Sequence, residues 1–322
     1  MALTSRRSGS PWTGLGTVVA KETADHLGGL RMVVMEAIMF LIALGLAWFS
    51  TTTIRETIGQ SAFLYLHLLT TAPDVVPLSI TSIIGLVTPV IAIALGFDAV
   101  NGEFSQRTLS RILAQPIYRD ALLLGKFLAR LLTLSIALVS LWLLVLGLGF
   151  LRFGLPPNAE ELVRMLGFLV ATIAYGGVWL AIAMLFSVLF RAPATAVMAA
   201  FGLWVLFTVF WTLLITPLLA TMFSGPAEGL LGPNLAYLHT EQMLERLSPN
   251  QLYAESAQAL LQPDKRFFGP VFINQLIGAV RAPLPVSQSF ILVWPQLTAL
   301  IAAMIVVFAI AYVAFQRQEI RA

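Results

Sequence analysis

The apolar positions of this chain fall in long blocks, not in short alternations. Six stretches are long and apolar enough to cross ~30 Å of hydrocarbon as helices of about 20 residues or more, rising ~1.5 Å per residue. They lie near residues 32–54, 76–97, 121–151, 165–190, 195–222 and 291–315. A membrane β-barrel would show shorter segments that alternate inward and outward. The pattern predicts an all-α integral membrane protein with six transmembrane helices. The third stretch is long enough to tilt or to project beyond the bilayer. Residues 1–16 are polar and the first apolar block begins only near Met32, so no signal peptide is expected.

Three further patterns lie outside those blocks. From Val19 to Leu30, a helical projection puts Val19, Ala20, Ala24, Leu27 and Leu30 on one side and Lys21, Glu22 and Asp25 on the other. Such a two-faced helix beside a span is expected to lie in the interface plane as an elbow; a juxtamembrane helix that only anchors is the plainer alternative. Between spans two and three, a helix from about Val100 would carry Glu103, Arg107 and Arg111 as a charged stripe opposite Leu109, Ile112 and Leu113. Glu103 and Arg107 have the favourable i,i+4 order, and Pro116 ends the helix. That face suits docking on a partner, or it is an ordinary solvated face. Between spans five and six, Ser248-Pro249-Asn250-Gln251 has the form of a helix start, and Pro263 a stop. The segment 223–290 is therefore expected to fold into a small, partly helical cap.

Composition agrees with the spans. Of 322 residues, 58% are hydrophobic and 11% charged, with a mean hydropathy of +0.88. A soluble domain carries roughly a quarter charged residues. The net charge of +3 reports orientation, not a nucleic-acid partner. Arg6, Arg7, Lys21 and Arg31 precede span one. Arg107, Arg111, Arg119, Lys126 and Arg130 surround the second connection, Arg191 the fourth, and Arg317 and Arg321 the tail. Both termini are thus expected in the cytoplasm of a multi-pass cell-membrane protein, with 1–31 and 316–322 as cytoplasmic ends of a 32–315 membrane domain. Arg152 and Arg164 flank an outer turn and are expected to snorkel toward head groups.

Catalytic chemistry is missing from the pattern. No cysteine is present, which excludes disulfides, thiol catalysis and zinc–thiolate sites. Gly125-Lys126 is followed by Phe127, not Ser or Thr, so it opens no phosphate-binding loop. His26, His67 and His239 are far apart, with no paired metal-ligand spacing. Glu36 and Asp98 lie near span ends, where interfacial anchoring is the plainer reading than a proton site. Thr88-Pro89 should bend span two; Pro89 is a hinge candidate or a static kink. Gly176-Gly177 permits close helix approach, or a local break.

The run from Glu103 through Lys126 resembles the signature region of ABC-2 type permeases, the membrane subunits of ATP-binding-cassette exporters. It carries Glu103, Thr108-Leu109, Ile112-Leu113-Ala114, Pro116-Ile117, Arg119 and Gly125-Lys126 in the family's order, with Arg107 where the family has Gly. The likeness extends over the chain, from an elbow helix with Lys21-Glu22 through six spans. It implies that 98–119 is a coupling helix seated on an ATPase, with Glu103, Arg107, Thr108, Leu109, Arg111, Ile112, Pro116 and Arg119 as its contact residues. It further implies two cytoplasmic ATPase subunits that bind ATP and magnesium, and a second permease copy or a sister permease. The chain itself would be no enzyme and hold no cofactor. Two other readings fit six spans: a carrier or channel working alone in the lipid, and a scaffold that recruits an extracytoplasmic partner.

Overall fold

The computed structural model describes residues 14–55, 63–73, 77–105, 119–229, 232–264 and 283–317. The order is α1 (Leu15–Leu27), α2 (Leu30–Arg55), α3 (Leu64–Thr70), α4 (Ile80–Gly96), α5 (Asn101–Ser105), α6 (Arg119–Phe153) and α7 (Ala159–Leu189). Then α8 (Pro193–Val205) runs through a π-helical segment (Leu206–Ile215) into α9 (Thr216–Ser224). The chain continues with α10 (Leu235–Glu245), α11 (Pro249–Leu261) and α12 (Val286–Arg317). A two-residue antiparallel ladder, Glu228–Gly229 against Gly232–Pro233, precedes α10.

Six helices are long and apolar enough to cross a membrane: Leu30–Thr52, Ile80–Glu103, Asp120–Phe153, Ala159–Leu189, Pro193–Ser224 and Val286–Arg317. These match the six apolar blocks. The fourth starts ahead of its block because Asn158 and Glu161 form a reciprocal capping box, each side chain accepting the other's backbone N–H. Glu161 Oε1 also accepts the Tyr65 N–H at 2.8 Å, so one carboxylate caps the starts of both α7 and α3.

The centre of the bundle is α7. Its apolar window is 83% buried in protein, against 11% for the fifth and sixth spans. Apolar surface alone cannot drive this in lipid, where hydrocarbon is as good a neighbour as Leu; close packing of small residues can. The missing side chain of Gly176 leaves room for Leu134 and Thr88, and that of Gly177 for Met304. Gly96 of α4 rests on Leu180 and Ala183. The close approach expected of Gly176-Gly177 is thus present.

Pro89 lies buried inside α4. A proline has no N–H to give the carbonyl four residues back, here Gly85. The Tyr175 hydroxyl stands 3.2 Å from that carbonyl oxygen and 2.8 Å from Asn250 Oδ1. The single Tyr175 proton is shared between these two acceptors, so the Gly85 carbonyl receives a weak substitute for the bond that α4 lacks.

Helix α11 begins as its sequence indicates: Ser248 accepts the Asn250 N–H, Pro249 fills the first turn, and the helix ends at Leu261. It does not stand apart from the spans. It packs against α3, α4, α7 and α12, with Tyr253 stacked on Tyr175 at 4.5 Å and Leu260 beside Gly167. Tyr175 is about four turns into α7, so α11 lies between the spans. Its small buried residues Ser256, Ala257 and Ala259 permit that approach.

Arg164 corrects the snorkelling expectation. It is fully buried and donates to Glu160 Oε1 at 2.8 Å, Ser289 Oγ at 2.8 Å and the carbonyls of Leu260 and Leu284. The last carbonyls of α11 have no partner within their helix, and Arg164 supplies one in place of water. Arg152 instead lies 3.6 Å from the centroid of the Trp48 ring, a cation–π contact. Glu36 accepts a hydrogen bond from Ser140 Oγ at 2.6 Å and so ties α2 to α6.

Candidate functional site

The charged residues that the sequence scatters over more than a hundred positions meet at the α1 end of the bundle. Helix α1 packs on α6 because Gly125 has no side chain: a Cβ there would stand 2.7 Å from Val18 Cγ1. The buried positions of α1 are Val18 and Thr23. One face, with Val19, Ala20, Ala24 and Leu27, borders an open apolar groove completed by Leu128 and Leu132 of α6. Lys21 and Asp25 are exposed. Glu22, grouped with the polar side by periodicity, turns toward α6 because two cations stand there.

Those cations are Lys126 and Arg130, each 3% exposed and one turn apart on α6. Lys126 Nζ lies 2.5 Å from Glu103 Oε1 of α5 and 3.2 Å from Glu22 Oε1. Arg130 Nη1 donates to Glu22 Oε2 at 3.2 Å, and Arg130 Nε donates to the Leu95 carbonyl of α4 at 2.8 Å. A second pair, Arg31 Nη1 to Asp98 Oδ2 at 2.8 Å, joins the start of α2 to the end of α4. Charges as buried as Lys126 and Arg130 persist only when paired and hydrogen-bonded. Alternating signs across α1, α5 and α6 meet that condition. We refer to this arrangement as the clasp.

Burial alone would raise the Glu22 carboxyl, but Lys126 and Arg130 outweigh it and hold it below the ordinary carboxylate range. Burial, with Arg130 adding to it, pushes His26 from its ordinary 6.5 down to about 4. His26 is thus neutral near pH 7, and its 3.9 Å approach to Glu22 is not an ion pair.

The far side of α5 is held by α7. Ser187 Oγ accepts the N–H groups of Val100 at 2.9 Å and Asn101 at 3.3 Å. Asn101 Nδ2 donates to the Phe190 carbonyl at 3.3 Å. Ser187 supplies partners to N–H groups that no preceding turn can satisfy. The short helix α5 is therefore pinned between α6 on one side and α7 on the other. A push on the chain that follows α5 must move α1, α6 and α7 with it or break these bonds.

Of the residues singled out in the sequence, Glu103 and Glu22 meet through Lys126. Lys21 faces outward on α1, and Pro89 lies elsewhere, in α4. Arg119 opens α6. Arg107, Thr108, Leu109, Arg111, Ile112 and Pro116 lie outside the described residues. Sequence reasoning passed over Arg130, Asn101 and Ser187 as site residues. Arg130 carried a signal: with Lys126 it forms an i,i+4 cationic pair inside a span, and intramembrane charges mark function. Ser187 and Asn101 carried none. Among the described residues, no three His, Asp or Glu side chains gather as a metal site.

Comparison with known proteins supplies the context. The family described as ABC-2 family transporter protein matches residues 16–320. Over 244 residues the chain is 31% identical to a probable ABC transporter permease protein, NosY, of Pseudomonas aeruginosa, covering 74% of this chain and 78% of the relative. Over 240 residues it is 28% identical to the protein of the same description from Stutzerimonas stutzeri, covering 73% and 78%.

Proposed function

The chain belongs to the ABC-2 family of transporter proteins, and we propose that it is the permease subunit of an exporter driven by a separate cytoplasmic ATPase. The observation that carries the proposal is the clasp. Glu103, at the head of the segment 98–119, is bound through Lys126 to α1 and α6, while Ser187 binds the same short helix to α7. In the proposed assembly the 98–119 segment is the coupling helix, resting on an ATPase subunit through Arg107, Thr108, Leu109, Arg111, Ile112, Pro116 and Arg119. Two ATPase subunits bind ATP and magnesium, and a second permease, identical or related, completes the pathway. The α1 end faces the cytoplasm, in keeping with the basic residues gathered there, and α1 is the elbow helix in the interface plane.

Closure of the ATPase pair pushes the coupling helix. The push reaches α6 and α1 through Glu103, Lys126 and Glu22. It reaches α7 through Ser187 and Asn101, and α7 touches α4, α6, α8, α11 and α12. A lone carrier leaves the clasp without work to do.

The test is co-purification from native membranes in mild detergent, with mass spectrometry of the subunits. A stoichiometric partner with a phosphate-binding loop is expected. A homogeneous single chain, with no ATPase at any detergent mildness, overturns the proposal.

A further inference from the structure

At the end of the bundle away from the clasp, a half-open cavity of about 410 Å³ lies between α3, α4, the π-helical segment and α11. Its polar walls are hydroxyls and amides, and no charged side chain lines it among the described residues. Three wall threonines already use their hydroxyl protons. Thr70 Oγ1 donates to the Leu66 carbonyl, Thr81 Oγ1 to Leu69 and Thr208 Oγ1 to Trp204, each at 2.8 Å. Each oxygen keeps lone pairs for another donor. Gln262 Oε1 and the Tyr253 hydroxyl are buried at the wall and have no hydrogen-bond partner among the described residues. An unpaired buried polar group costs roughly 1–3 kcal/mol, a cost that a hydrogen-bonding solute in the cavity removes.

We propose that this cavity holds an uncharged solute bearing both hydrogen-bond donors and acceptors, and that such solutes are the cargo class of the permease. An ion would lie in the membrane domain with no countercharge, which is costly. A neutral solute with donors and acceptors satisfies both Gln262 Oε1 and the Tyr253 hydroxyl. The volume is far above the ~10–15 Å³ that a single water needs and admits a small molecule. The wall is also tied to the part of α4 that Pro89 weakens. Asn250 Nδ2 donates to Thr208 Oγ1 at 2.7 Å, and the Tyr175 hydroxyl bridges Asn250 and Gly85. A change in α4 at Pro89 therefore reshapes the site. The inference rests on the permease reading only in calling the solute cargo.

The chain has no cysteine, so Ser82→Cys or Ala257→Cys places the sole thiol in the cavity wall. Leu213→Cys, on the 75% exposed face of the π-helical segment, reports reagent that arrives through lipid. The probes are three methanethiosulfonates of like size bearing a hydroxyethyl, a trimethylammonioethyl or a sulfonatoethyl group, applied to the full chain in its native membranes and read by intact mass. Both cavity thiols are expected to react at least tenfold faster with the neutral reagent than with either charged one, and faster than Leu213→Cys does. Urea at sub-denaturing concentration is expected to slow that reaction, and tetramethylurea, which has no donors, to slow it less. Equal rates for all three reagents, no labelling at both cavity positions, or equal protection by the two ureas overturns the proposal. Labelling needs no ATPase, so its failure is distinct from failure to co-purify one.

Discussion

The two ends of this bundle use their polar groups differently. At the α1 end, four charges of alternating sign join α1, α5 and α6, and Arg130 extends the set to α4. At the other end, hydroxyls and amides line a cavity, and the fully buried Arg164 is spent on holding α11 and α12 in place. The difference follows from what each end must do. Paired charges resist separation strongly, because parting them strands a buried ion; they suit elements that must move together. Neutral hydroxyls bind weakly and exchange partners at little cost, which suits a site that fills and empties.

Breaking the first end should cost most. Lys126→Met leaves Glu22 and Glu103 facing each other without their shared cation, and we expect a loss of ~3–5 kcal/mol. Thermal unfolding in detergent, with limited proteolysis near residue 27, should show α1 released first. A variant as stable as the parent would reduce the clasp to ornament.

A milder break is acidification. His26 has a folded value of about 4 against an ordinary 6.5, so the docked helix holds it neutral while a released helix protonates it. Stability at the α1 end should be full above pH 6.5 and fall as pH drops toward 4, by about 3 kcal/mol in all. Glu22, held below the carboxylate range, keeps its contribution until lower pH. His26→Asn should flatten the slope between pH 6.5 and 4 in a thermal-shift series. An unchanged slope would assign it to other groups.

The smallest effect belongs to the far end. Tyr175→Phe leaves the Gly85 carbonyl and Asn250 Oδ1 without the bridging hydroxyl, at about 1–3 kcal/mol. It should lower thermal stability without releasing α1, so the proteolysis pattern near residue 27 stays that of the parent. If α1 is released as well, the two ends are not separable in the way described.

Much of the fold is legible in the sequence because it rests on local signals. Long apolar runs mark the six spans, and Ser248-Pro249 marks the start of α11. The charged segment that begins at Glu103 is also conspicuous. What is not legible rests on which faces meet. Nothing local to Glu22 says that it will turn to Lys126, 104 residues away. Arg164 reads as a snorkelling residue until α11 supplies carbonyls for it. The depth of α11 depends on Gly167 and Gly85 lying opposite Leu260 and Tyr253. The π-helical turn over Leu206–Ile215 leaves no trace, since its residues are as apolar as those of an α-helical span.

The central claim is that the clasp transmits motion from a bound ATPase into the bundle. Hydrogen–deuterium exchange on the purified complex, with and without a non-hydrolysable ATP analogue, tests it most directly. Residues 15–27 and 98–105 should change protection on nucleotide binding in the parent. In Lys126→Met, still associated with its ATPase, that change should be confined to 98–105. If 15–27 responds equally in both proteins, or in neither, the clasp does not carry the motion.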